Sequence, residues 1–434
     1  MRFWGTTRRP ALVIVLVATV AALPGSPAWA APADAVTSPT SWSANVQRPG
    51  VSSCESGEQP VVPSTSATDL NGLTTVKYGA LPGLHVDIPP PNYDPASASP
   101  GLNTSLRVSD RSMSETMSSN LVKSLKQLAK SRVAPAFCYR PVSAGTRPLS
   151  LPGQVLSSAG TAPGSSCAKA PCASHVNSSN WSGYVVSQGA VPYTIYGATA
   201  AWFEQSSGYD TPHNKDVTWV GVGGATPGAA YGLIQAGTSM ETNAGYRSWF
   251  EWVGSGTGVG EQFASIGGVL YSGGNVVRPG DLISTIVYWS KHVNDSEWDM
   301  CFTVADLDRS SGDLNGCQPR VPPPGHPQFG KAILQDHSSV EWIDEKDTAG
   351  YPLSDFWQTN FFGAGLYNPA ISSSIDDFNK YSYTGWILGT GVPKATGATL
   401  YDRCTSTISA FPANPVRETS SGNGGSFTNQ FCNP

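Results

Sequence analysis

The feature that most restricts what this chain can fold into is a change of texture at Ser174. From there to Pro434, short apolar runs alternate with Gly, Ser, Asn and Asp turns, and helical periodicity is absent. Eight runs read as strands: 181–186, 198–204, 217–222, 231–236, 246–252, 281–289, 300–305 and 339–343. Regularly spaced strands without intervening helices predict an all-β sandwich or barrel, because each strand must bury one face against a second layer. Ten of the thirteen tryptophans lie in this region, so an aromatic core is expected. A Gly/Pro-rich insertion interrupts the pattern between Asp306 and Pro327, and from about residue 380 a C-terminal extension has patterning too weak to assign.

Upstream, residues 31–173 are rich in Pro, Ser, Ala and Gly and carry one tryptophan, Trp42, which suggests a pro-segment or linker. One regular element is expected there. Met113, Met117, Leu121, Leu125 and Leu128 recur at spacings of three and four, an amphipathic helix over 113–131 with Ser112 and Glu115 as its capping box. Its apolar stripe has to bury against the strand-rich region. At the start of the chain, Arg2, Arg8 and Arg9 precede an apolar run from Ala11 to Leu23 and the small-x-small pattern Ala28-Trp29-Ala30. This reads as a secretory signal peptide over 1–30. The run is shorter than the roughly 20 residues that span a bilayer, so a secreted, extracellular protein with no membrane partner is expected.

Export permits disulfides. The eight cysteines suggest the pairs Cys54 with Cys138, Cys167 with Cys172, Cys301 with Cys317, and Cys404 with Cys432. No C-x-x-C occurs and the six histidines are scattered, so neither a metal nor another cofactor is expected. With 26 basic against 31 acidic residues and no Lys/Arg cluster, composition argues against nucleic acid, and a monomer is expected.

Several hydrolase signatures are missing from the sequence. There is no G-x-S-x-G elbow, no H-E-x-x-H, and no paired Asp-Thr/Ser-Gly. All eight cysteines can pair, which leaves carboxylates supported by amides and aromatics. Val340-Glu341-Trp342-Ile343-Asp344-Glu345 holds the densest set. On a strand, Glu341, Ile343 and Glu345 share one face, while Val340, Trp342 and Asp344 share the other. The Cα atoms of Glu341 and Glu345 are then about 13 Å apart, so at most one is the chemical centre.

Five stretches line up with this reading: Ser179-Asn180-Trp181-Ser182-Gly183, Trp219-Val220-Gly221-Val222-Gly223-Gly224, Leu233-Ile234-Gln235-Ala236-Gly237, Trp249-Phe250-Glu251-Trp252, and Val340 to Glu345. Their order and spacing resemble the glutamic peptidases, or eqolisins, a family of secreted acid proteases. The resemblance covers roughly 179–368. It implies a concanavalin-like sandwich of two bent antiparallel sheets over 174–434 and a catalytic dyad of Gln235 and Glu345, with Trp219, Trp249 and Glu251 lining the cleft. Protein or peptide is the implied substrate. Glu341 is left as structural or peripheral, and strand alternation assigns Trp252 to the core.

In this scheme Glu345 acts as general base on water and Gln235 donates to the oxyanion, chemistry that favours acidic conditions. Ala236 replaces a family threonine, and Gly223, Gly224 and Ala225 stand where many members carry an Asp-containing turn. Asp344 replaces an apolar residue beside the base and would raise its pKa if it came near. Two other readings remain open. One is a β-sandwich glycosidase using Glu251 and Glu345 with Trp219 and Trp249 stacked on sugar. The other is a noncatalytic extracellular binding module.

Overall fold

Strand 245–255 shows why two layers are required. Arg247, Trp249 and Glu251 point to one side and Tyr246, Phe250 and Trp252 to the other, and all six are buried. A strand of this kind needs cover on both faces. In the computed structural model the cover on one side is a second sheet. The structure describes residues 54–99, 102, 119–132, 134–141, 173–178, 181–208, 215–225, 232–241, 245–255, 265–272, 277–291, 298–309, 314–321, 323–326, 333, 335–346, 355–356, 358–367, 376–377, 383–388 and 425–430. All of them fall within the unit Val36–Pro434.

The first sheet runs in the order β1 (Gln59–Val61), β5 (Phe137–Pro141), β13 (Ser265–Ser272), β12 (Gly245–Ser255), β11 (Gly232–Glu241), β10 (Lys215–Val222), β17 (Ser339–Lys346), β7 (Trp181–Ser187), β21 (Tyr383–Leu388) and β6 (Ala173–Ser178). Every pair is antiparallel except β21 with β6. The second runs β2 (Pro63–Thr68), β3 (Thr74–Tyr78), β4 (His85–Ile88), β16 (Leu314–Pro319), β15 (Trp298–Asp306), β14 (Leu282–Lys291), β8 (Gly197–Phe203), β19 (Gln358–Tyr367) and β20 (Asp376–Asp377), with β22 (Gly425–Gln430) also on β19. β9 (Ser207–Gly208) and β18 (Asp355–Phe356) form a short ribbon. The protein is thus a β-sandwich, and all eight expected strands are present within a few residues of their expected ends.

The inter-sheet core is aromatic. Phe250 stacks on Phe302 across the layers at 4.0 Å, and Trp252 stacks on Tyr139 and Phe250. Trp342 Nε1 donates to Thr199 O of the facing sheet at 2.9 Å, which satisfies a buried indole that dispersion alone would leave unpaired. Trp181, Trp219 and Trp249 belong to a second cluster on the opposite face of the first sheet, as strand alternation requires.

The expectation of one regular element within 31–173 needs correction. This stretch supplies β1 to β5, which extend both sheets, and the helix α1 (Ser119–Ser131). The strands were hard to read because they are short and polar: in β2, Ser66 is buried and its neighbours are not. Leu125 and Ala129 of α1, one turn apart, pack with Ile286 and Tyr367 of the second sheet, so the apolar stripe finds its cover there. The capping box at Ser112 and Glu115 lies outside the described residues, as do the signal peptide and the pairs Cys167–Cys172 and Cys404–Cys432. Cys54–Cys138 and Cys301–Cys317 are both disulfide-bonded. Among the described residues no helix is long and apolar enough to cross a membrane.

Candidate functional site

Residues directly opposite one another on neighbouring strands point to the same face, so the registers of the first sheet define rows across it. One row reads Arg140 (β5), Val269 (β13), Glu251 (β12), Gln235 (β11), Gly221 (β10), Glu341 (β17) and Val185 (β7). A parallel row four residues away reads Arg247 (β12), Ser239 (β11), Val217 (β10), Glu345 (β17) and Trp181 (β7). Both rows occupy the face turned away from the second sheet. All five residues named from the sequence, Gln235, Glu345, Trp219, Trp249 and Glu251, lie on this face, and each is at most 1% exposed.

Gln235 and Glu251 are direct neighbours. Gln235 Nε2 donates to Glu251 Oε2 at 2.6 Å, which fixes the amide with its nitrogen toward the carboxylate. The second amide hydrogen is not used by that bond, and Gln235 Oε1 has no partner among the described residues. On the other side of Gln235 the row holds Gly221. A Cβ there would lie 2.6 Å from Cζ3 of Trp219 and 3.1 Å from Oε2 of Glu341, so the missing side chain makes room for both.

Glu345 is wholly buried and accepts from Trp219 Nε1 at 2.9 Å. The Trp219 indole thus lies between the rows, its six-membered ring against Gly221 and its N–H on Glu345. Trp181 supports that orientation edge-on, with ring centroids 5.0 Å apart. From strand spacing and rise, the Cα atoms of Gln235 and Glu345 are about 16 Å apart and those of Glu251 and Glu345 about 19 Å.

Glu341, read from sequence as structural or peripheral, shares the Gln235 row. Its carboxyl is pushed well above the usual range, first by burial; the Ser339 hydroxyl moderates the shift and the nearby Asp336 charge adds to it. Glu341 is therefore protonated where Asp and Glu side chains ordinarily ionise. Asp344 turns to the opposite face, where it accepts from Thr218 Oγ1 at 2.7 Å. There it raises the pKa of Glu204 and Asp216 rather than lying beside Glu345. An acid does reach the Gly223-Gly224 turn, where both glycines have positive φ, although it comes from another segment: Gly224 N donates to Asp336 Oδ2 at 3.0 Å. Sequence reading missed Asp336 and Gly221 because their roles depend on non-local pairing.

Other features lie apart from these rows. An open pocket of about 640 Å³ at Ser187, Gln188, Thr194 and His337 contains none of the row residues. Two groups among the described residues have metal-ligand spacing, Cys54 with Glu58 and Cys138, and Asp281 with Asp306 and Asp308. In the first both sulfurs are bonded to each other, and in the second Arg309 Nε donates to both oxygens of Asp281.

Fold and site together describe a β-sandwich carrying a buried amide–carboxylate face. No family model matches the chain, and no curated protein sequence matches it. Among solved structures it is similar to scytalido-glutamic peptidase with a transition state analog inhibitor, at 13% identity and a TM-score of 0.35, covering 58% of this chain and 98% of that one. It is also similar to SCP-B, a member of the eqolisin family, in a complex with the tripeptide Ala-Ile-His, at 13% identity, a TM-score of 0.34 and the same coverage.

Proposed function

We propose that the protein is a secreted acid endopeptidase in which Glu345 is the general base and Gln235 the oxyanion donor. The observation that carries this reading is that each member of the pair is oriented by a neighbour on the same face: Gln235 by Glu251 and Glu345 by Trp219. Glu345 takes a proton from water, whose oxygen attacks the scissile carbonyl carbon. The second N–H of Gln235 stabilises the oxyanion, an effect worth about 3 to 4 kcal/mol in comparable sites. As the carbon–nitrogen bond breaks, Glu345 returns the proton to the leaving amine. The Trp219 N–H holds one oxygen of the Glu345 carboxyl in place. The two disulfides fit an oxidising, extracellular setting.

A second reading, in which Glu341 is the acid, draws on its place in the Gln235 row. Its raised pKa suits a proton donor and not a base. Hydrolysis of a denatured protein at about pH 3 to 4, near the carboxylate range, separates the two. Glu345→Gln and Gln235→Ala are each expected to lower kcat by at least about 100-fold, and Glu341→Gln to retain most activity. Full activity in Glu345→Gln together with loss in Glu341→Gln would transfer the role. Release of sugar from a polysaccharide, with no peptide cleaved, would instead favour the glycosidase.

A further inference from the structure

A buried ion cluster lies at the β5 end of the candidate face. The Arg247 side chain is 2% exposed and the Glu58 side chain 0%. Arg247 Nη1 donates to Glu58 Oε2 at 3.1 Å and Nη2 to Oε1 at 3.2 Å, a two-pronged contact that matches the planar fork of the guanidinium to one carboxylate. Arg140 Nη2 adds a third bond to Glu58 Oε1 at 2.8 Å. Both guanidinium groups lie over the Tyr271 ring, Arg247 at 4.0 Å and Arg140 at 5.2 Å from its centroid. Glu55 approaches the outer side, 3.2 Å from Arg140 and 3.6 Å from Arg247. Its backbone N–H also donates to Glu58 Oε2 at 3.0 Å.

The position of this cluster gives it a meaning beyond stability. Arg140 belongs to the Gln235 row and Arg247 to the Glu345 row. The acid between them arrives on residues 54–58, tethered to β5 by Cys54–Cys138. A carboxylate is thus held by two arginines stacked on a buried aromatic, at the end of the same face that carries the candidate dyad. We propose that the Arg140–Arg247 pair is a recognition site for a peptide carboxylate, an acidic side chain or a C-terminus, which Glu58 occupies as an internal stand-in. The location of the site relative to a scissile bond rests on the peptidase reading; carboxylate binding does not. Arg140 and Gln235 are three strands apart, about 14 Å, or about four residues of extended peptide.

Removing the Glu58 side chain takes away the carboxylate that bridges the two guanidinium groups. The test is a calorimetric titration of the full chain and its Glu58→Ala variant, which empties the position, at about pH 5, where a peptide glutamate is largely ionised. The probes are two blocked tetrapeptides that differ only in Glu against Gln. The expected result is that the variant binds the Glu peptide roughly tenfold tighter than the Gln peptide, the effect of one charge-assisted contact. Wild type is expected to distinguish them little, and Glu58→Ala with Arg140→Gln to lose the preference. Equal binding of the two peptides by folded Glu58→Ala would overturn the proposal and leave the cluster structural. If that variant does not fold, wild type with Cys54–Cys138 reduced is titrated instead, and the same preference is required of it. A hydrolysis assay on the same proteins keeps the two readings apart: binding preference without cleavage refutes the peptidase and not the carboxylate site.

Discussion

Glu204 offers the sharpest test of the sandwich interior. It is buried between the sheets, and burial, together with the Asp344 and Asp281 charges, raises its pKa from 4.5 to about 7 despite bonds from Thr238 and Trp202. In the unfolded chain the proton leaves at the ordinary value; in the folded protein it stays until about pH 7. Between those limits the unfolded state binds fewer protons, so stability falls as pH rises. The contribution of Glu204 is complete below its unfolded pKa and lost as pH passes the folded one. A shift of that size corresponds to about 3 kcal/mol. Asp216, raised by burial and by Asp344 and Glu204, changes stability in the same direction. Urea unfolding of wild type and Glu204→Gln across this range measures the effect. The variant should lose about 3 kcal/mol less than wild type between acid and neutral pH. A wild-type stability that is flat over that interval, or a variant that follows the wild-type slope, would refute the reasoning.

Gly221→Ala places a methyl group 2.6 Å from the Trp219 ring and 3.1 Å from Glu341. It is expected to cost about 1 to 3 kcal/mol by urea unfolding and to displace the indole from Glu345, lowering hydrolysis as well. Stability and activity both unchanged would mean that the row has slack at this point. Replacing Cys301 and Cys317 together by Ala opens a loop with a sequence separation of 16. The expected loss is about 3 kcal/mol, read from urea midpoints; a loss close to zero would show that the β15–β16 ladder holds the loop unaided.

The sandwich was legible wherever strands declare themselves on both faces. β12 and β17 carry large side chains on each side, so their alternation alone separated Trp249 from Trp252 and Glu345 from Asp344. β13 and β19 were missed because Gly267, Gly268, Gly363 and Gly365 dilute the pattern, and β19 also shifts register between Phe361 and Ala364. The site was legible only as a set of residue types. Which acid shares a row with Gln235 depends on how β10 pairs with β17, strands more than a hundred residues apart, and no local pattern encodes that register. Asp336 and the Glu58–Arg247 contact were invisible for the same reason.

The alternation of β17 also limits how this gene can change. Its odd-numbered acids, Glu341 and Glu345, belong to the candidate face, and its even-numbered acid, Asp344, belongs to the interior. Inserting or deleting one residue within the strand would exchange the two sets at once, moving the proposed base into the sandwich and Asp344 to the site. Substitutions can be tried one at a time along this strand, whereas a single-codon insertion or deletion within it would alter the chemistry of both faces together.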